Sequence, residues 1–252
     1  APIIMGKLRI PHIIGMVLAG VVVGRYGLNI LVRDDSFELF GRVGYLITPA
    51  RRGKGGVAQA LVMPLSLLDL EVEHRNDRDL QRIREARSLS LPTALQTHPV
   101  KNAEALFLSE ILYRVIREKE ADPPLFHFLF NAVRHLETAD AGIANFHLTF
   151  LFRLAVYLGI RPNRETYVEG RYFDLLEGIF TEEVPLHGRY LNADDSRVMA
   201  RLTKMTFANM SLFAFSHTER SAILGHVLEF YRLHLPGFPE LKSLEVLRAL
   251  FE

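Results

Sequence analysis

The sequence predicts a mainly α protein with a small β part, a piece of a small barrel followed by an α-helical bundle. Three observations predict it. Residues 42–48 are β-branched and aromatic, residues 65–73 alternate, and Pro and Gly stand at the breaks between them. From about residue 77 onward, apolar residues recur at spacings of three and four. Breaks such as Gly159 followed by Pro162, and Pro236, Gly237 and Pro239, divide that second pattern into about six helices with short links.

Composition narrows the function classes. The 252 residues carry a net charge of +1, so a polyanionic partner must be met by a local patch and not by the whole surface. The chain has no cysteine, which removes disulfides, thiolate catalysis and cysteine zinc sites without fixing the compartment. It begins with Ala and not Met, as expected of a processed chain or a fragment.

The first element is the apolar run "IPHIIGMVLAGVVVG", which holds no Asp, Glu, Lys or Arg and is bracketed by Arg9 and Arg25. As a helix it would span about 22 Å against a hydrocarbon core of roughly 30 Å, short of a full crossing. Gly20 and Gly24 form a small-xxx-small pair suited to close helix packing. "LRIPHIIGMVLAGVVVGRYGLNIL" followed by "SFELFGRVG" resembles the early transmembrane region of bacterial cation/proton antiporters, over about residues 2–44. An antiporter needs many spans and intramembrane carboxylates, so transport is excluded. Three readings of the run stay open: a foreign membrane fragment joined to another protein, a buried core element, or an anchor.

The next elements surround a cationic loop. "RVGYLIT" reads as a strand, "PARRGKGG" as a turn, and "ALVMPLSLLDLEVEHR" as one or two further strands, with Pro64 at a strand start or edge. "LSLLDLEVE" alternates well enough to bury one face. Arg51, Arg52 and Lys54 on the loop, with Arg42 on the preceding strand, suit phosphate contacts that tolerate any base sequence. A solvated hairpin tip carrying cations for solubility is the plainer alternative. The Walker pattern is missing.

The stretch "GRVGYLITPARRGKGGVAQALVMPLSLLDLEVEHRNDRDLQRIREARSL" resembles the RecO family of bacterial recombination mediators. Further blocks follow in the family's order: "ALFLSEILYRVIREKEADPPLFHFL", "ANFHLTFLFRLAVYLGIRPN", "GRYFDLLEGIF" and "FYRLHLPGFPELKSLEVL". The likeness covers about residues 41–252. It implies an OB-type barrel, here incomplete, and a non-catalytic protein with no cofactor that binds single- and double-stranded DNA and anneals strands. With its partner RecR, such a protein helps load recombinase onto DNA coated by single-strand-binding protein. It also implies a cytoplasmic, nucleoid-associated location, and Arg42, Arg51, Arg52 and Lys54 as the DNA-binding cations. The expected organisation is an antiporter-like segment over 1–40, a partial OB-fold over 41–76 and a RecO-type helical domain over 77–252.

Two departures stand out. The apolar segment occupies the place of the barrel's first strands, so a chimera joined at residues 41–44 is expected, with open strand edges. Many members carry a four-cysteine zinc module after the "LGIRPN" helix. Here that stretch has no cysteine and only His187, so metal binding is not expected. A small hairpin held by Tyr172, Phe173, Leu175 and Phe180 is expected in its place.

The helical body begins, on this reading, with "DLQRIREARSL". It continues through "HPVKNAEALFLSEILYRVIREKE", "PPLFHFLFNAVRHLE", "GIANFHLTFLFRLAVYLG", "ADDSRVMARLTKMTFANMSLFAF" and "HTERSAILGHVLEFYRLHL", and closes with "SLEVLRALF". Phe126, Phe128, Phe130, Phe146, Phe150 and Phe152 read as core and not as a base-stacking platform. Arg75, Arg78, Arg82 and Arg84 are interleaved with acids and read as a mixed-charge face. The resemblance further implies a docking slot for the acidic, Phe-ended tail of single-strand-binding protein. Arg114, Arg117 and Arg153, each beside apolar residues, are candidates for its cation. The competing function is a helical protein-interaction scaffold that does not grip DNA, tethered to a membrane if the first segment inserts.

Overall fold

The computed structural model describes residues 13–16, 21–24, 44–46, 61, 63–73, 80–89, 93–116 and 122–249. The chain divides into two compact units, Ala1–Glu137 and Thr138–Glu252.

In the first unit, β1 (Ile13–Met16) and β2 (Val21–Gly24) pair antiparallel, and β1 runs against β4. The apolar run therefore differs from the helix drawn from its hydropathy: Val21, Val22 and Val23 are β-branched and favour the extended backbone. Among the described residues no helix is long and apolar enough to cross a membrane. A second sheet has the order β3 (Gly44–Leu46), β5 (Leu80–Ser88), β4 (Leu68–Glu73). β5 pairs parallel with β3 and antiparallel with β4.

The sequence reading of residues 80–88 as helix is corrected by β5, and the cause is a bulge. The register passes from Glu71↔Glu85 to Val72↔Ile83, so Arg84 has no opposite residue on β4. The extra residue separates buried Ile83 from half-buried Ala86 by three positions, a spacing that mimics one helical turn. β4 carries no such break: Leu68, Leu70 and Val72 point inward in strict alternation. The chain enters β4 through a turn in which Ser66 N–H donates to Met63 O (3.1 Å). Pro64 takes the second position, and Leu65 takes the third at φ 57°, the left-handed value that a type II turn demands. Leu65 is buried, so its packing offsets the strain of that backbone.

The same unit holds α1 (Thr93–Thr97), α2 (Pro99–Val115) and α3 (Pro123–Thr138), the last closing the unit at Glu137. Phe107, Leu108, Ile111 and Leu112 of α2 and Leu129, Ala132, Val133 and Leu136 of α3 form their buried faces. The Glu137 carboxylate accepts the Ala94 and Leu95 N–H groups at 2.8 and 3.0 Å, which satisfies the first donors of α1. The buried Lys101 ammonium donates to Glu137 O (2.8 Å).

The second unit contains α4 (Phe146–Tyr157), α5 (Ala193–Leu202), α6 (His217–His234) and α7 (Ser243–Ala249). α4, α5 and α6 pack on one another around Phe146, Phe150, Leu151, Leu154, Val227 and Tyr231. Tyr231 is fully enclosed and its hydroxyl donates to Leu151 O (2.7 Å). Gly159, at φ 71°, ends α4: Ile160 N–H reaches Ala155 O and Gly159 N–H reaches Val156 O. A capping box of Ser216 and Glu219 starts α6.

Between α4 and α5 the chain forms an antiparallel sheet, β7 (Ile179–Thr181), β6 (Tyr172–Asp174) and β8 (Tyr190–Leu191). Phe173, Leu175 and Phe180 are buried and Tyr172 is half-buried. The Phe173 ring lies 4.8 Å from that of Phe180 and 5.8 Å from that of Phe230 on α6.

The expected helix over 193–215 is also corrected, because α5 stops at Leu202. Thr203 Oγ1 donates to Ala200 O, and the Asn209 side chain bonds Thr206 N–H (2.7 Å) and Lys204 O (3.2 Å), so side chains take over the backbone groups that a helix would use. The buried Asn145, just before α4, donates to both Met210 O (3.0 Å) and Phe213 O (2.7 Å). The chain is thus mainly α with a small β part, and among the described residues its sheets close no barrel.

Candidate functional site

The cations named first, Arg42, Arg51, Arg52 and Lys54, lie outside the described residues, as does Arg117. What the structure gives is the framework from which their segment springs. Residues 47–60 follow β3 and precede the Met63–Ser66 turn into β4, and β3 and β4 flank β5 on opposite sides.

The exposed face of β5 carries Arg82, Arg84 and Arg87. Arg84 pairs with Glu73 at 3.1 Å and Arg87 with Glu85 at 2.7 Å. The hydrogen bond and the charge of Glu85 raise the Arg87 pKa above its ordinary value. The Arg84–Glu73 pair belongs to the mixed-charge face read from the sequence, while Arg75 and Arg78 lie outside the described residues. Arg82 stands opposite Glu73 on β4 and beside Leu46 on β3, at the root of the cationic segment.

Arg114 is half-buried near the end of α2, with its guanidinium 5.3 Å from the Tyr113 ring centroid. Arg153 is exposed on α4. The two belong to different units of the chain. Beside α4 the second unit contains an apolar pocket lined by Leu151, Phe152, Ala155, Pro162, Met199 and Val227, among others.

Where a zinc module stands in many members of the resembling family, β6–β8 are joined by other means. Asp174 Oδ1 accepts the N–H groups of Leu176 (2.8 Å) and Glu177 (3.1 Å). Its Oδ2 lies 3.1 Å from His187 Nε2, while His187 Nδ1 accepts Arg189 N–H (3.0 Å). The Nδ1 bond requires an unprotonated nitrogen, so His187 donates from Nε2 to the carboxylate. Burial pushes the Asp174 carboxyl up, but the Glu177 and Leu176 N–H groups and the His187 ring outweigh it and hold the pKa below the ordinary value. Among the described residues no three His, Cys, Asp or Glu side chains converge as a metal site.

One cluster was missed in the sequence. Arg197, Arg201 and Lys204 recur at i, i+4 and i+7 and are all exposed. The Arg201 guanidinium lies 6.0 Å from the ring centroids of both Phe213 and Phe215. Leu212, on the segment held by Asn145, is 81% exposed. The signal was available: residues 196–220 hold Arg197, Arg201, Lys204 and Arg220 against Glu219 alone.

Comparison with known proteins bears on all of this. Residues 96–245 match the family described as Recombination protein O C terminal. The DNA repair protein RecO of Bacteroides fragilis is 44% identical over 216 residues, covering 85% of this chain and 89% of that protein. The protein of the same name from Porphyromonas gingivalis is 42% identical over 216 residues (84% and 88%), and that of Azobacteroides pseudotrichonymphae 38% identical over 215 (85% and 89%). With this identity spread over most of both chains, and a family match that takes in α2 through α6, the chain belongs to the RecO family.

Proposed function

We propose that the chain is a non-catalytic DNA-binding recombination mediator in DNA repair, acting in the cytoplasm at the nucleoid. It anneals complementary strands and, with RecR, helps load recombinase onto DNA coated by single-strand-binding protein. The observation that carries this reading is the 44% identity over 216 residues to a DNA repair protein RecO. Arg42, Arg51, Arg52 and Lys54 supply the phosphate contacts. A slot for an acidic, Phe-ended tail needs an apolar hollow and a nearby cation. Arg153, exposed on α4 of the second unit, is one candidate for that cation. Arg114 and Arg117 are the other candidates.

A second reading, a helical scaffold that recruits proteins without gripping DNA, draws support from the open β3-β5-β4 sheet, which has two edges among the described residues. Fluorescence anisotropy of a labelled single strand at several salt concentrations separates the two. The mediator reading expects salt-sensitive binding, and a salt slope reduced by about 2 in Arg51→Glu/Arg52→Glu/Lys54→Glu, since each lost single-strand phosphate contact removes about 0.7. Absence of binding by the parent chain leaves the scaffold.

A further inference from the structure

We infer that α5 and the segment after it form a second contact for single-stranded DNA, in which Arg197, Arg201 and Lys204 meet phosphates and Leu212 meets an unstacked base. This inference rests on the proposed DNA-binding function but uses a different surface, on the helical body and not on the cationic loop.

Charge complementarity selects the ligand. The chain is close to neutral, yet residues 196–220 carry four Lys and Arg against one Glu, and the other acids of α5, Asp194 and Asp195, are confined to its first turn. That Glu219 caps α6, its carboxylate accepting Ser216 N–H at 2.7 Å, and it also lies close enough to Arg201 and Arg220 for their charges to help lower its pKa. On the outer face of β5, two of the three cations, Arg84 and Arg87, each hold a carboxylate. On α5, only Arg197 has an acid partner among the described ion pairs, the highly exposed Asp194 at 2.9 Å. A pair that open to water is weak and yields readily to a phosphate. The spacing of 197, 201 and 204 places the three cations on one side of the helix and its C-terminal turn.

Geometry then favours a single strand over a duplex. Arg201 is braced against the Phe213 and Phe215 rings, so its fork is held in place before any ligand arrives. Leu212 projects into solvent beside half-buried Phe213, on a segment fixed by the two bonds from Asn145. An apolar side chain displayed on a rigid segment among cations gains nothing from a duplex backbone, whose bases are stacked inside. It gains contact area from a splayed base.

The test is anisotropy of labelled oligothymidine and of a duplex of equal length, on the full chain. Arg201→Gln/Lys204→Gln is compared with the parent and is also built into Arg51→Glu/Arg52→Glu/Lys54→Glu. Two lost phosphate contacts lower the single-strand salt slope by about 1.4, so between 50 and 200 mM salt the parent loses about sevenfold more affinity than the variant. The slope drops in both backgrounds, and Arg201→Lys/Lys204→Arg restores it. Leu212→Ser weakens the single strand and leaves the duplex unchanged. Thermal unfolding of Arg201→Gln/Lys204→Gln and of Leu212→Ser stays close to that of the parent, as expected for exposed side chains.

An unchanged slope in Arg201→Gln/Lys204→Gln overturns the inference, and if the loop variant still shows its own drop, the DNA-binding reading stands without it. A parent that binds no single strand overturns both. Loss of binding to an acidic, Phe-ended peptide with oligothymidine binding intact also overturns the inference, and assigns the patch to protein.

Discussion

Replacing Asn145 with Ala removes the side chain that fixes residues 210–213 to the start of α4. Its Nδ2 donates to Met210 O at 3.0 Å and Phe213 O at 2.7 Å, and Asn145 is 4% exposed. Each bond contributes about 0.5–1.5 kcal/mol net, and a buried carbonyl left without a donor costs about 1–3 kcal/mol. Met210 O keeps the Phe213 N–H at 3.3 Å, so the burden falls on Phe213 O. The sum is about 2–3 kcal/mol, which lowers the urea midpoint by about 1 M for a slope near 2–3 kcal/mol per M. Asn145→Asp is the sharper variant. It has the same shape but turns a carboxylate toward two carbonyl oxygens, so it is less stable than Asn145→Ala at pH 7. Burial and the carbonyl dipoles raise the introduced carboxyl above its unfolded value of about 3.9. Its penalty is therefore small at acid pH and grows as pH rises through that value. Urea unfolding of both variants at pH 4 and pH 7 checks this. An Asn145→Asp protein as stable as Asn145→Ala at pH 7 would refute the donor role assigned to Nδ2.

Gly142→Ala places a Cβ 2.8 Å from Ser211 N, at a φ of 73°. Gly159→Ala meets nothing within 4 Å at nearly the same φ, 71°. The second costs about 1–2 kcal/mol from backbone strain alone, and the first costs at least 1 kcal/mol more, read as the difference in urea midpoints. Equal losses would show that the approach of Ser211 is not a real constraint. For Asp174, whose folded carboxyl lies below its unfolded value, the contribution to stability is complete above about pH 4 and is lost as pH falls through the folded value. The stability gap between the parent and Asp174→Asn, measured by urea unfolding, therefore narrows as pH falls below about 4, and a gap independent of pH would sink the assignment.

The sequence declared the mainly helical body plainly, because caps and breakers sit beside periodic apolar runs: Ser216 with Glu219, Gly159 with Pro162, and Pro99 at the head of α2. It misled where one side chain changed the period. A single extra residue, Arg84, gave β5 the spacing of a helix, and the Asn209 and Asn145 side chains stopped α5 by bonds no local pattern announces. The Phe residues of α4 were read correctly as core, since Phe146, Phe150 and Phe152 are all buried. The α5 cations form no cluster along the chain. Arg197, Arg201 and Lys204 are dispersed along the chain and come together only on a helix.

The order of strands in the N-terminal sheet also sets a schedule for the growing chain. Gly44 finds its hydrogen-bonding neighbour only when Leu80 arrives, with β4 and the cationic segment synthesised in between. Tyr172 meets Thr181 almost at once, across a tight hairpin. Non-local parallel pairing is slow to close. On the ribosome, the cations therefore emerge well before the central strand that anchors their segment, while the later hairpin needs only its own few residues.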